Sequence, residues 1–87
     1  MRLDKYLKVS RLIKRRTMAK EVADQGRVQV NGQKAKAGTD VKIGDELDVM
    51  FGQKHIKLQI DRIEEKAKKE DAATFYTILK EERVNND

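Results

Sequence analysis

The side chains best able to bind a partner are cations, and they crowd one end of the chain. Arg2, Lys5, Lys8, Arg11, Lys14, Arg15, Arg16 and Lys20 stand within the first 20 residues, beside a single acid, Asp4. That segment carries +7, residues 21–60 carry 0 and residues 61–87 carry −2, so the excess of this +5 chain sits at its start. Arg27 adds a cation where the first strand should open. A concentrated cationic patch attracts polyanions and speeds their encounter. Guanidinium groups add planar, two-pronged donation that suits phosphate. Tyr6 is the one aromatic residue in this basic segment, and its spacing with Leu3 and Leu7 assigns it to the core rather than to base stacking. Without stacking platforms, the expected ligand is folded RNA read by shape and phosphate position. Charge alone does not separate RNA from DNA.

Catalytic machinery is hard to assemble from the other residues. Cysteine is absent, which removes disulfides, thiolate metal sites and a cysteine nucleophile. His55 is the only histidine and Ser10 the only serine. His55 is expected as a solvated side chain on the wet face of a strand. The glycines fall singly at turn positions and match no phosphate-binding loop. Asp45, Glu46 and Asp48 lie close together but lack partner ligands, so a solvated strand end is expected there rather than a metal site. These features predict a binding protein with no cofactor and no small-molecule substrate, and not an enzyme. No apolar stretch approaches a membrane span, and the charged N-terminus lacks the core of a secretory signal. A cytoplasmic monomer with no membrane partner is the expectation.

The elements that must position the cations can be read from periodicity. At 87 residues the chain makes one domain with a thin core. Leu3, Tyr6 and Leu7 predict a short first helix from Arg2 to about Val9, followed by a turn within Ser10–Arg16. Thr17 to Gln25 predicts a second helix, capped by Thr17, with Met18, Ala19, Val22 and Ala23 as its buried stripe and Gly26 as its stop. The period then changes to two. Val28 and Val30 lead into Asn31-Gly32, a hairpin signal, and a return strand over Gln33–Lys36. Val41 with Ile43, Leu47 with Val49 and Phe51, and Ile56 with Leu58 and Ile60 alternate as half-buried antiparallel strands, with a Gly44-Asp45 turn between the first two sets. Asp71 is expected to cap a last helix with the stripe Ala72, Phe75, Tyr76 and Leu79, and Val84–Asp87 to fray. The expected fold is α+β, with two N-terminal helices packed on a short antiparallel sheet and a C-terminal helix. Residues 1–65 should form the RNA-binding domain and 66–87 a helical extension packed on it.

Four blocks in this order carry a resemblance: Arg2-Leu3-Asp4-Lys5-Tyr6-Leu7, Arg15-Arg16-Thr17-Met18-Ala19-Lys20, Gln25-Gly26-Arg27-Val28-Gln29-Val30-Asn31-Gly32 and Val41-Lys42-Ile43-Gly44-Asp45-Glu46-Leu47. They resemble the S4-type RNA-binding domain with its αL motif. Lys8 to Thr17, Lys20 to Gly26 and the ending Phe75 to Glu82 extend the likeness over nearly the whole chain, to the heat-shock protein 15 family and its Gram-positive branch. The resemblance implies ribosome-associated quality control. In that role the chain would bind large ribosomal subunits blocked by peptidyl-tRNA and contact 23S rRNA and tRNA. It would work beside RqcH, which extends the nascent chain with alanine. Carried over by position, Arg2 and Arg16 are the implied RNA contacts. Asp4 matches a family position and is expected to orient a nearby arginine or to act as a helix N-terminal acid. Lys5, Lys8, Arg11, Lys14, Arg15, Lys20 and Arg27 are supporting contacts by charge and placement. The alternatives are a subunit-recycling factor with no part in tailing, a duplex-DNA regulator and a fragment of an RNA-modifying enzyme. No base-reading helix-turn-helix spacing is evident, and no catalytic domain follows within the chain.

Overall fold

In the computed structural model, which describes residues 1–83, two short helices lie against one face of a five-stranded antiparallel sheet. Helix α1 spans Leu3–Val9 and α2 spans Arg16–Asp24. The strands are β1 (Val28–Val30), β2 (Gln33–Lys34), β3 (Glu46–Phe51), β4 (Lys54–Ile60) and β5 (Tyr76–Arg83), in the spatial order β2-β1-β3-β4-β5. Leu3, Tyr6 and Leu7 of α1 and Ala19, Val22 and Ala23 of α2 pack onto Val28, Leu47, Val49, Leu58 and Ile60 in one core. Each large apolar side chain sealed there contributes roughly 1.5–3 kcal/mol.

Both helices stop where the chain turns left-handed. Gly26, at φ 76°, closes α2 by donating to the Ala23 carbonyl, while Arg27 N–H donates to the Val22 carbonyl, the two hydrogen bonds of a Schellman motif. Asn31 and Gly32 both have positive φ, 52° and 83°, which makes the tight turn joining β1 to β2. The Asn31 side chain then ties that hairpin to the next loop, donating to Asp45 Oδ1 at 3.1 Å and accepting from Glu46 N–H at 3.0 Å. Asp45 is buried and also accepts from Lys42 N–H. It is therefore an organiser of the 42–45 turn rather than part of a solvated strand end.

Four other expectations are corrected. Thr17 does not cap α2; Arg15 is the N-cap and Arg16 already has helical geometry, so Thr17 lies inside the first turn. Met18 is 42% exposed, at the edge of a buried stripe that is narrower than four residues. Val41 and Ile43 form no strand: Val41 is buried, Ile43 is 63% exposed, and the segment turns back after an isolated bridge between Arg2 and Asp40. The expected C-terminal helix does not form among the described residues. Ala72–Phe75 makes one 3-10 turn, after which Tyr76–Arg83 pairs along β4 as a strand, with Leu79 as a bulge between the Lys57–Lys80 and Leu58–Ile78 pairs. The unpaired edge of β4 offers a row of backbone groups that a local helix would leave unsatisfied. The expected fraying of Val84–Asp87 lies outside the described residues.

One carbonyl joins these parts. The Phe75 oxygen accepts from the buried Tyr6 hydroxyl at 2.9 Å and from the N–H groups of Asp61 and Arg62 at 2.8 and 3.1 Å. Burial pushes the Tyr6 phenol well above its ordinary 10.0, with Asp61 and Tyr76 adding to the shift. The unfolded chain ionises this group near pH 10. The stability held by the neutral phenol is therefore complete below that pH and is lost as pH rises beyond it. Tyr6→Phe should lower the unfolding free energy by about 1 kcal/mol at neutral pH and give a shallower alkaline decline. Denaturant titrations at neutral pH and above pH 10 check this; the same alkaline slope in both proteins would contradict it.

Candidate nucleic-acid interface

The start of α1 is held by backbone rather than by a capping side chain. Leu3 and Asp4 donate their N–H groups to the carbonyls of Thr39 and Ala37 at 2.8 and 3.2 Å. This docks Arg2, the N-cap, over Gly38. Asp4 turns inward, with its side chain only 3% exposed. Its Oδ1 lies 3.3 Å from Arg2 Nε and its Oδ2 3.3 Å from Arg16 Nε, while Lys5 N–H donates to Oδ1 at 2.8 Å. The two guanidinium groups remain about half exposed. One buried carboxylate thus fixes two cations from different helices through their Nε atoms, and the outer ends of both guanidinium groups stay available for a second acceptor.

The other cations sort around this cluster. Lys20 lies four residues after Arg16, on the same side of α2. It shares a shallow hollow of about 620 Å³ with Arg2, Lys34, Lys36 and Asp24. Lys8, Arg11 and Lys14 line a separate groove of about 810 Å³, whose far wall is Glu65, Lys66 and Lys69 from the 61–71 loop. Lys5 pairs with Glu65 at the surface, which holds the Glu65 carboxyl below the ordinary range by hydrogen bond and charge. Arg15 is exposed at the N-cap of α2. Arg27 is not gathered with the rest; it borders a hollow formed with Gln29, Asp48, Met50 and His55. His55 itself is not simply solvated: its Nε2 lies 2.9 Å from Asp48 Oδ1 on the neighbouring strand.

The sequence reading missed Lys34, Lys36, Lys66 and Lys69. The last two lie in a segment with net negative charge; two of its acids pair elsewhere, in Lys5–Glu65 and Arg62–Glu64, and among the described residues Lys66 and Lys69 line a groove without an ion-pair partner. Among the described residues no helix is long and apolar enough to cross a membrane, and no group of acids and histidine is arranged to hold a metal ion.

The S4 domain model matches residues 1–47, which contain both helices, the Asp4 cluster and the loop that docks Arg2. The RQC P-site tRNA stabilizing factor of Bacillus subtilis is 66% identical over 97% of this chain and 98% of its own length. The chain belongs to the S4 domain family, in the branch of these factors. The S4 branch member of Streptococcus pneumoniae, with the same name, is 56% identical over 97% of this chain and 96% of its own. Heat Shock Protein 15 of Vibrio cholerae, solved as a trimer, superposes with a TM-score of 0.84 at 30% identity, over 90% of this chain and 80% of that one. The S4 match ends inside β3, so β4, β5 and the 61–71 loop lie outside it, while the likeness to the bacillary factor runs on through them.

Arg11 stands out within the S4 part because it is a non-glycine residue at φ 61°, in the left-handed turn that ends α1. Its N–H reaches the Lys8 carbonyl at 3.0 Å, as a terminating glycine's would. A side chain in that conformation costs about 1–2 kcal/mol. Arg11→Gly should therefore raise the unfolding free energy by about 1 kcal/mol, part of the relief being lost to a freer unfolded chain. Thermal or denaturant melts measure it; a clear loss of stability would show that the Arg11 side chain carries packing that its exposure does not suggest.

Proposed function

We propose that this chain is an RNA-binding factor of ribosome-associated quality control. In this reading it binds large ribosomal subunits that still carry peptidyl-tRNA, contacts 23S rRNA and tRNA, and supports C-terminal alanine tailing of the nascent chain beside RqcH. It acts by binding rather than by catalysis, as a monomer in the cytoplasm. The observation that carries the reading is the Arg2–Asp4–Arg16 cluster, set in a chain 66% identical along almost its whole length to a P-site tRNA stabilizing factor. Arg2 and Arg16 are the principal phosphate contacts and Asp4 their orienting partner. Lys5, Lys8, Arg11, Lys14, Arg15, Lys20 and Arg27 are supporting contacts. Charged side chains at Lys80, Glu81 and Glu82 on the free strand β5 disfavour edge-to-edge pairing, which supports the monomer.

The physical logic is positioning. Phosphate contacts set register and orientation on RNA without reading bases, and they are strongest when the donors are fixed in advance. A guanidinium already held at Nε by Asp4 loses less freedom when its remaining N–H groups meet phosphate. Asp4 leaves the pair of arginines with a net charge of +1, so the cluster still attracts an anion.

A second reading, a subunit-recycling factor with the same RNA site and no part in tailing, is favoured by the structural likeness to Heat Shock Protein 15. A deletion strain separates the two: loss of alanine tails on stalled chains supports the first reading, and unchanged tailing removes it. Arg16→Ala should release the chain from subunits bearing peptidyl-tRNA in co-sedimentation and lower the salt slope by about 0.7–0.9 per lost contact. Asp4→Asn should also weaken attachment although it removes a negative charge, because both arginines lose their anchor. Tighter binding by that variant would show that Asp4 merely opposes the RNA.

A further inference from the structure

The groove between the α1–α2 turn and the 61–71 loop does not belong to the Arg2–Asp4–Arg16 cluster, and it shares no residue with the hollow beside Arg2. Five cations border it: Lys8, Arg11 and Lys14 on one wall and Lys66 and Lys69 on the other. Among the described residues none of the five is in an ion pair. Its one acid, Glu65, is already matched by Lys5. Val9 and Ala67 are the apolar residues of its lining. Cations brought to one groove from two separate segments suit a ribose–phosphate strand, whose negative charges repeat along its length.

Two further features mark it as built rather than incidental. The Lys5–Glu65 pair ties the loop to α1 and so sets the groove's far wall. Arg11 occupies its strained left-handed position at the groove's rim, where glycine would be cheaper. Strain of that kind persists where the side chain has a task, and here the side chain is a cation facing four others. Gathering unpaired cations on one concavity is itself unfavourable in the free protein, and an anionic strand lifts the repulsion.

We propose that this groove is a second site for the phosphodiester backbone of RNA, two of its five cations, Lys66 and Lys69, lying beyond the S4 match. The inference rests on the RNA-binding reading above and adds a wall that reading does not include. Its ligand is an RNA strand, and either rRNA or tRNA offers the same chemistry.

Binding of the full chain to deproteinised large-subunit rRNA and, separately, to tRNA, titrated over a range of salt, tests it. The double variant Lys66→Ala/Lys69→Ala should lower the magnitude of the salt slope by about 1.4–1.8 with at least one of the two RNAs, and the RNA affected identifies the source of the strand. Arg11→Gly should weaken the same RNA without lowering the melting temperature, which separates lost charge from lost fold. Lys42→Ala/Lys54→Ala removes equal charge away from the groove and should change the slope by less than half as much. An unchanged slope for Lys66→Ala/Lys69→Ala with both RNAs, or an equal change in the control, overturns the inference. If Arg16→Ala still weakens binding in the same assay, the groove alone has failed and the RNA-binding reading stands. If the unaltered chain binds neither RNA, both fall together.

Discussion

A carboxylate sealed from water with a guanidinium group on each side is the contact around which the cationic surface is arranged. Asp4 could not be buried alone, since an isolated carboxylate loses far more solvation than packing returns. Hydrogen bonds from Arg16 Nε and the Lys5 N–H, with the Arg2 guanidinium as a charge partner at 3.3 Å, offset that cost and in doing so fix where Arg2 and Arg16 stand. Because Arg2 belongs to the start of α1 and Arg16 to the start of α2, the same bonds set the relation between the two helices. Packing alone leaves that relation loose: α1 has only 7 residues and α2 only 9, well short of what is stable in isolation. The single acid in the first twenty residues is therefore the group that lets the other charges be placed.

The sheet answers a different requirement. A helical pair that presents many like charges to solvent needs stability from elsewhere, and a chain of this size has few places to find it. The inner face of β1, β3 and β4 supplies it through Val28, Leu47, Val49, Leu58 and Ile60. The outer face is left to polar pairs such as Lys57–Glu46 and the His55–Asp48 contact, which cost little and attract little. Excess charge and balanced charge thus lie on different surfaces, as the sequence already arranges them along its length.

Features governed by neighbours in sequence were legible before the structure. The stripe of Leu3, Tyr6 and Leu7, the stop at Gly26 and the Asn31-Gly32 turn depend on a few adjacent residues, and each formed where it was expected. The last element was not legible. Ala72, Phe75, Tyr76 and Leu79 repeat at helical spacing, but Tyr76–Arg83 is a strand because β4 needs a partner, a demand arising some twenty residues away. The Val41–Ile43 alternation misled for the converse reason: an alternating pair with no strand edge beside it remains a loop. For the candidate site, Asp4 could be suspected from its isolation among cations. Lys66 and Lys69 could not, because charge summed along the chain hides cations in a segment whose acids outnumber them, even where two of those acids, Glu64 and Glu65, pair with other residues.

The Phe75 carbonyl shows how the late part of the chain is made to serve the early part. Residues 61–71 form no regular element, yet the loop returns each time to the same place. At its start, Asp61 and Arg62 donate to Phe75; at its end, the 3-10 turn delivers Phe75 into the core beneath Tyr6, whose hydroxyl takes the same oxygen. The Arg62 guanidinium lies 5.6 Å from the Phe75 ring centre, closing the loop over its own anchor. A carbonyl has two lone pairs, so the three donors share them, and that one oxygen ties α1 and the start of the loop to the 3-10 turn. The loop that carries Lys66 and Lys69 is therefore coupled to α1 twice, through Tyr6 in the core and through Lys5–Glu65 at the surface. A loop held only at the surface would swing with its side chains. One whose start shares the Phe75 carbonyl with the Tyr6 hydroxyl is anchored in the core as well.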